Sequence, residues 1–341
     1  MSEPTLPCVD QTLKTGVLLV QLGTPDEPTP EAVRRYLKEF LWDRRVVDVN
    51  RVLWWFILNV IILNTRPEKS ARLYQRLFET YGPVLLTYTQ SLTQKVASKM
   101  VEAGLQDKLS VRFAMRYGNP SLMSVMQDMI RTDRCDKILI VPMYPQYASA
   151  TTGSILEKVF DDLKSMRWMP SLRVMAPYAK HPDYIAAQAK VINDALSVRQ
   201  KMPERLIFSY HGIPQRYVDE GDPYACMCLD TSDALKQLVK FPADKILHTY
   251  QSRFGKEPWL KPYTDKTLTE LAKDGCKDVM VACPSFTMDC LETLDEIAVE
   301  SARTFRKNGG ERLELVSCLN DQDSWASALT RMIKVELGGW I

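Results

Sequence analysis

Two short stretches carry side chains whose types and spacing could do chemistry. The first is RLIFSYHGIPQRY, Arg205 to Tyr217. Its apolar run, Leu206-Ile207-Phe208, is too short for a buried helix and is bounded by charge, which predicts a buried strand. That strand would deliver Tyr210-His211-Gly212 into a turn closed by Pro214, and open α/β sheets hold their ligands at the C-terminal ends of their strands. An imidazole there can bind a metal ion or carry a proton. A structural histidine capping the strand is the plain alternative. The chain has only three histidines. Of the others, His248 sits within a strand pattern and reads as packed core, and His181 precedes Pro182 in a linker.

The second stretch is DCLETLDEIAVE, Asp289 to Glu300. On a regular α-helix Asp289, Glu292, Glu296 and Glu300 fall within an arc of roughly 80°, with Leu291, Leu294, Ile297 and Ala298 on the opposite side. Such a row is ordinarily a solvated face whose acidic start suits the helix dipole. It follows a strand ending at Cys283-Pro284, however, which should open on the same side as His211. Carboxylates facing an imidazole across a cleft can bind a divalent metal and pass protons.

The elements that must position these groups follow a repeated plan. Strands are expected at Gly16–Gly23, Ser110–Tyr117, Lys137–Val141 and Leu172–Met175. A second set is expected at Arg205–Tyr210, Lys245–Tyr250, Asp278–Ala282 and Arg312–Val316. Helical segments alternate with them. One helix is marked by Thr29 as N-cap, Pro30 at its first position and Glu31 in its first turn, and another spans about Ser121 to Arg131. Alternation of this kind implies an α/β fold of parallel βαβ units: two doubly wound, Rossmann-like lobes with a cleft between them. The expected organisation is a tail over 1–15, a first lobe over 16–178 that includes an apolar lip at 40–88, and a second lobe over 179–341 carrying the metal site. The linker lies near Tyr178 to Asp183.

Composition bounds the function. Of 341 residues, 45% are hydrophobic and 25% charged, as in a soluble globular protein, and a net charge of +2 makes no electrostatic case for nucleic acid. No G-x-G-x-x-G or G-x-x-x-x-G-K-[ST] follows any strand, which argues against a nucleotide enzyme. The first sixteen residues have neither a basic nor an apolar region, so no export signal is expected, and the eight cysteines read as reduced thiols in a cytoplasm. The most apolar run, VLWWFILNVIIL from Val52 to Leu63, is shorter than the roughly 18 residues a membrane span requires. A buried helix is the favoured reading; the alternative is a lip touching a bilayer surface, with Arg66 and Lys69 beside it. Aromatic and arginine side chains at the other strand ends, among them Arg116-Tyr117, Tyr144 and Trp259, suit a flat apolar ligand with carboxylates.

Six motifs in order, QLGTP from Gln21, FLWDRRVVD from Phe40, YPQYASATTGS from Tyr144, SYHGIP from Ser209, YQSRFGKEPWL from Tyr250 and DCLETL from Asp289, resemble those of ferrochelatase, which inserts iron into porphyrin at the end of haem synthesis. The resemblance covers about Gly16 to Asn320 and is nearest the bacterial, protoporphyrin-using branch. It implies a two-lobed chelatase fold gripping protoporphyrin IX, with Fe2+ as substrate. His211 and Glu292 would be the metal-binding and catalytic pair, and Glu296 and Asp289 would belong to a proton or metal relay. Leu22, Arg116, Tyr117 and Trp259 would line the porphyrin pocket, with Arg66 meeting a propionate. Coproporphyrin or cobalt chelation, or a haem carrier without catalysis, are the alternatives, and the oligomeric state stays open between monomer and homodimer.

The chain departs from the family pattern in places. It reads Gly82-Pro83-Val84-Leu85 where relatives have Gly-Ser-Pro-Leu, and Cys290 where some have histidine. Some relatives hold a [2Fe–2S] cluster through a C-terminal extension and a cysteine in the YPQY segment, where this chain has Ser149. No tightly bound cofactor is therefore expected, and a cluster on Cys226, Cys228, Cys276, Cys283 or Cys290 is the less favoured reading. Peripheral contact with the inner face of a membrane is compatible with the lip.

Overall fold

The computed structural model describes residues 13–255 and 257–341. Of the expected 1–15 tail, only Leu13, Lys14 and Thr15 fall among them, and the last two already belong to the first strand. In the first half, β1 (Lys14–Gln21) is followed by α1 (Pro30–Trp42), α2 (Arg51–Phe56), a π-helical segment (Ile57–Ile62), α3 (Leu63–Tyr81) and α4 (Val84–Glu102). Then come β2 (Leu109–Met115), α5 (Leu122–Arg131), β3 (Cys135–Pro142), a π turn (Ser149–Gly153), α6 (Ser154–Lys164), β4 (Ser171–Val174) and α7 (Pro182–Ser197). The second half holds β5 (Arg205–His211), α8 (Gln215–Asp219), α9 (Tyr224–Leu238), β6 (Ile246–Gln251), α10 (Thr264–Lys273), β7 (Asp278–Ala282) and α11 (Leu291–Leu294). It ends with a third π segment (Glu296–Ser301), α12 (Ala302–Lys307), β8 (Arg312–Leu315) and α13 (Asp323–Glu336).

The strands form two four-stranded parallel sheets of identical plan, β2-β1-β3-β4 and β6-β5-β7-β8. This is the expected α/β architecture. Strands buried on both faces explain the unbroken apolar runs, and their period of two sorts each side chain to a layer. Val17 and Leu19 of β1, Leu139 and Val141 of β3, Leu206 and Phe208 of β5, and Met280 of β7 meet in one core spanning both lobes. The intervening Leu18, Val20, Ile138 and Ile140 face an outer layer of the first lobe, and Ile207, Val279 and Val281 face that of the second.

Local signals match the helix starts. The Thr29 side chain accepts from Ala32 N at 3.3 Å, with Pro30 opening α1, and Ser121 caps α5. His248 is packed as expected, stacked on Tyr210 at 4.7 Å and bonded through Nδ1 to Ser232 at 2.8 Å, and burial pushes its pKa down to about 4. His181 caps α7 by accepting from Asp183 N.

One favoured expectation is overturned. Val52 to Leu63 is not a buried helix: Val52, Phe56 and Ile61 are 70%, 55% and 56% exposed, and Leu53, Trp55 and Val60 are exposed with them. Only one side, Trp54, Leu58, Ile62 and Leu63, is packed, against Leu41. The segment therefore buries one narrow face and projects the other, a distinction that a nearly continuous apolar run cannot encode. Among the described residues no helix is long and apolar enough to cross a membrane. Pro67, inside α3, has no N–H for the carbonyl of Leu63, and Arg34 Nη1 donates to that carbonyl instead.

Candidate active site

In each sheet the first strand lies between the second and the third, so the chain leaves it to one side and returns on the other. Loops diverge at such a point and leave a crevice beyond the strand ends. Here both crevices open into one cleft, lined by Leu22 and Gly23 after β1, Met143 and Tyr144 after β3, His211 to Pro214 after β5, and Ser285 to Met288 after β7. Its empty volume, open mouth included, is about 1310 Å³. Two glycines shape it. Gly23, at φ +111°, passes so close to Tyr117 that an added Cβ would sit 1.8 Å from the Tyr117 carbonyl oxygen. At Gly212 an added Cβ would meet Gln251 O at 3.0 Å and the Trp259 ring at 3.2 Å.

His211 ends β5 with its ring half-buried. Nδ1 lies 2.6 Å from the Gly212 carbonyl oxygen, and a carbonyl only accepts, so Nδ1 carries a proton and, in the neutral ring, Nε2 has the lone pair. Its backbone N–H donates to Ser285 Oγ, and its ring sits between Trp259 and Phe286, with centroids 6.5 and 6.2 Å away. Glu292, in the first turn of α11, lines the same cleft and is its only carboxylate among the described residues, which include no arginine or lysine there.

The acidic stretch is not one regular helix. It is a four-residue helix followed by a π segment, so the arc expected for an unbroken α-helix does not hold. Asp289 precedes α11 and is buried, receiving Thr293 Oγ1 at 3.0 Å, Ser317 Oγ at 3.0 Å and Asn320 Nδ2 at 2.7 Å. Its oxygens are committed to holding the loop, so it leaves the row. Glu296 accepts Ser252 N at 2.8 Å and Ser252 Oγ at 2.5 Å. With Glu300, Asp265, Arg253 and Thr304 it borders a second, polar cavity of about 630 Å³, mouth included. Burial raises the pKa of Glu296; the Ser252 hydrogen bonds and His211 oppose that rise, and Glu292 adds to it.

Of the residues expected to line the porphyrin pocket, Leu22 and Trp259 border the cleft. Arg116 and Tyr117 do not. They lie beneath the cleft, where Arg116 Nη2, the Tyr117 hydroxyl (2.8 Å) and Ser154 Oγ all donate to Asp43 Oδ2. Tyr117 is 0% exposed. Burial works to raise the pKa of Asp43, but the Ser154 and Tyr117 hydrogen bonds and the Arg116 charge hold it below the usual carboxylate range. Both strand-end residues are thus spent on one buried anion. Arg66 is also outside the lining, its guanidinium 4.4 Å over the Phe254 ring.

Sequence reasoning missed Tyr36, Tyr74, Phe78, Leu77 and Met288 as lining, and Gln251 and Ser252 as partners of the acids. Tyr36 and Tyr74 reach the cleft from α1 and α3, so no strand-end signal marks them; the aromatic and polar content of YQSR was the available clue for Gln251 and Ser252. Cys226 is exposed and Cys228, Cys276, Cys283 and Cys290 are buried. Among the described residues no three His, Cys, Asp or Glu side chains are grouped to hold a metal ion.

The family model for ferrochelatase matches residues 14–337. The chain belongs to the ferrochelatase family. It is 45% identical to a ferrochelatase of Nitrobacter hamburgensis over 96% of this chain and 94% of that one. It is 44% identical to a ferrochelatase of Rhizobium meliloti, covering 96% of each. SirB from Bacillus subtilis, solved with Fe3+, shares the fold at a TM-score of 0.55 and 10% identity over 96% of this chain and 97% of that chain. Family membership makes this protein a metal chelatase of haem synthesis, with iron as its substrate.

Proposed function

We propose that the protein inserts Fe2+ into protoporphyrin IX at His211 and Glu292. The observation that carries this reading is the cleft itself: a mostly apolar cavity, without a lining cation among the described residues, bordered by the His211 imidazole and the Glu292 carboxylate. A macrocycle with one apolar edge can enter it. A ring with carboxylates on every side would bury anions with no cation to receive them, at a cost of several kcal/mol each, which favours protoporphyrin over coproporphyrin. The propionates would then stay outside, with Arg66 as a partner.

Insertion changes no oxidation state. Two pyrrole N–H bonds break, four iron–nitrogen bonds form and two protons leave. The His211 Nε2 lone pair and the Glu292 carboxylate supply a metal ligand and bases within one site, and Glu296 continues toward the polar cavity as the route for iron or protons. Asp289, its carboxylate committed to Asn320 and Ser317, has no part in this reading. The exposed face of the lip makes peripheral contact with a membrane.

The test is anaerobic. Purified protein, protoporphyrin and ferrous iron are mixed, and loss of porphyrin fluorescence is followed beside a His211→Ala control and a coproporphyrin arm. Turnover by the unaltered protein on protoporphyrin, reduced at least ~100-fold in His211→Ala, is expected. Binding without turnover would favour a carrier, and faster reaction with coproporphyrin would reverse the substrate assignment.

A further inference from the structure

Ser252 follows β6 with φ at +64°, one of three non-glycine residues among those described with a positive φ. Serine gains nothing from that region, unlike glycine or asparagine. The conformation nevertheless lets one residue present two donors to one acceptor: its N–H reaches Glu296 Oε1 at 2.8 Å and its hydroxyl reaches Oε2 at 2.5 Å. The preceding Gln251, buried, donates through Nε2 to the Glu292 carbonyl at 2.8 Å, and its own carbonyl accepts from Gly212 N at 2.8 Å. Its Oε1 accepts from Ser209 Oγ at 2.8 Å. Two consecutive residues therefore bind the loop of His211, the helix of Glu292 and the side chain of Glu296 to one strand end. Both also border the polar cavity that holds Glu296 and Glu300.

We infer that Ser252 is a positioning residue: its left-handed backbone turns N–H and hydroxyl together onto Glu296 and fixes that carboxylate between the polar cavity and the cleft, where ferrous iron passes. The inference rests on the reading that iron approaches His211 and Glu292 past Glu296. A backbone held against its own preference, with both of its donors directed at one acid, has a function in holding that acid. Without the hydroxyl, Glu296 keeps the Ser252 N–H and only a long contact from Gln251 Nε2, 3.5 Å from Oε2, and is freer to turn.

Steady-state iron insertion by the intact protein tests this with Ser252→Gly, Ser252→Ala, Glu296→Gln and the Ser252→Gly/Glu296→Gln pair. Glycine keeps the N–H, loses the hydroxyl and accepts the positive φ without strain. The expected result is a KM for ferrous iron raised about tenfold, as for loss of one charge-assisted hydrogen bond, with the KM for porphyrin within about twofold. The melting temperature of Ser252→Gly should not fall, which separates positioning from a structural role, and Ser252→Ala should show the same kinetic change. In the Glu296→Gln background Ser252→Gly should add little, because the two residues act as one unit. An iron KM unchanged in Ser252→Gly while Glu296→Gln is impaired overturns the inference alone, as does an effect of Ser252→Gly that persists undiminished in the pair. An iron KM unchanged in Glu296→Gln overturns the route past that residue and the inference with it.

Discussion

At His211 one contact decides what the imidazole offers. Nδ1–H donates to the Gly212 carbonyl, so in the neutral ring it is Nε2 that carries the lone pair, able to ligate or to accept a proton. Glu292 is the matching group, and the two differ in attachment: the histidine hangs from a strand end, the glutamate from a short helix whose carbonyl is held by Gln251. Replacing the carboxylate by an amide keeps size and polarity and removes the base together with its negative charge. Glu292→Gln should therefore lower kcat by about 10²–10⁴-fold and leave porphyrin affinity, read by fluorescence titration, within about threefold. Unchanged turnover would remove Glu292 from the chemistry. That His211 and Glu292 border one cleft was legible because β5 ends at His211 before Gly212 and β7 runs into Cys283-Pro284 ahead of the acidic stretch. Arg116 and Tyr117 follow a strand end as well, yet turn down onto Asp43, and Asp289 turns onto Asn320. The side of a loop to which a polar group turns depends on a buried partner distant in sequence, and such a partner leaves no local mark.

At the scale of elements, three segments among the described residues are π-helical, Ile57–Ile62, Ser149–Gly153 and Glu296–Ser301. Insertions of this kind cluster at functional sites because they change which face a helix presents. In the acidic stretch the change of pitch hands Glu296 to Ser252 while Glu292 faces the cleft. Arg76 of α3 reaches Asp295, the residue before Glu296, at 2.8 Å, so the helix that continues from the lip is tied to the acidic stretch. The lip itself was visible as composition, but its exposure was not, since only three-dimensional packing against Leu41 selects Trp54 and Leu58 for burial. Exposed Phe56 and Ile61 predict binding to a bilayer. Phe56→Ser with Ile61→Ser should weaken co-sedimentation with vesicles containing phosphatidylglycerol by about tenfold, from ~1 kcal/mol or less of transfer lost at each half-exposed side chain. The melting temperature should hold, because neither side chain belongs to the packed cluster of Trp54, Leu58 and Ile62. Equal co-sedimentation of both proteins would leave the lip without a membrane role.

At the scale of the molecule, the two halves repeat one sheet order but do not keep separate interiors. The plan of the sheets could be read most clearly from the apolar runs of β1, β3, β5 and β7, which are buried along most of their length. The distribution of those side chains could not: alternate positions on β1, β3, β5 and β7 enter one core shared by both lobes, where α4, α7 and α13 also pack. The cleft depends on that sharing, since His211 and Leu22 stand at the ends of strands whose inward side chains touch the same cluster. Phe208, 0% exposed and three residues before His211, tests it. If the core is common, Phe208→Ala should cost about 3–5 kcal/mol and lower hydrogen-exchange protection on β1 and β3 as well as on β5 and β7, within a single unfolding transition. If the lobes are independent, protection should fall only in the second sheet, and two transitions should separate on heating. The first outcome would mean that the jaws of the cleft are set by one packed interior, and that substitutions there reach the active site by moving the strand ends that carry it.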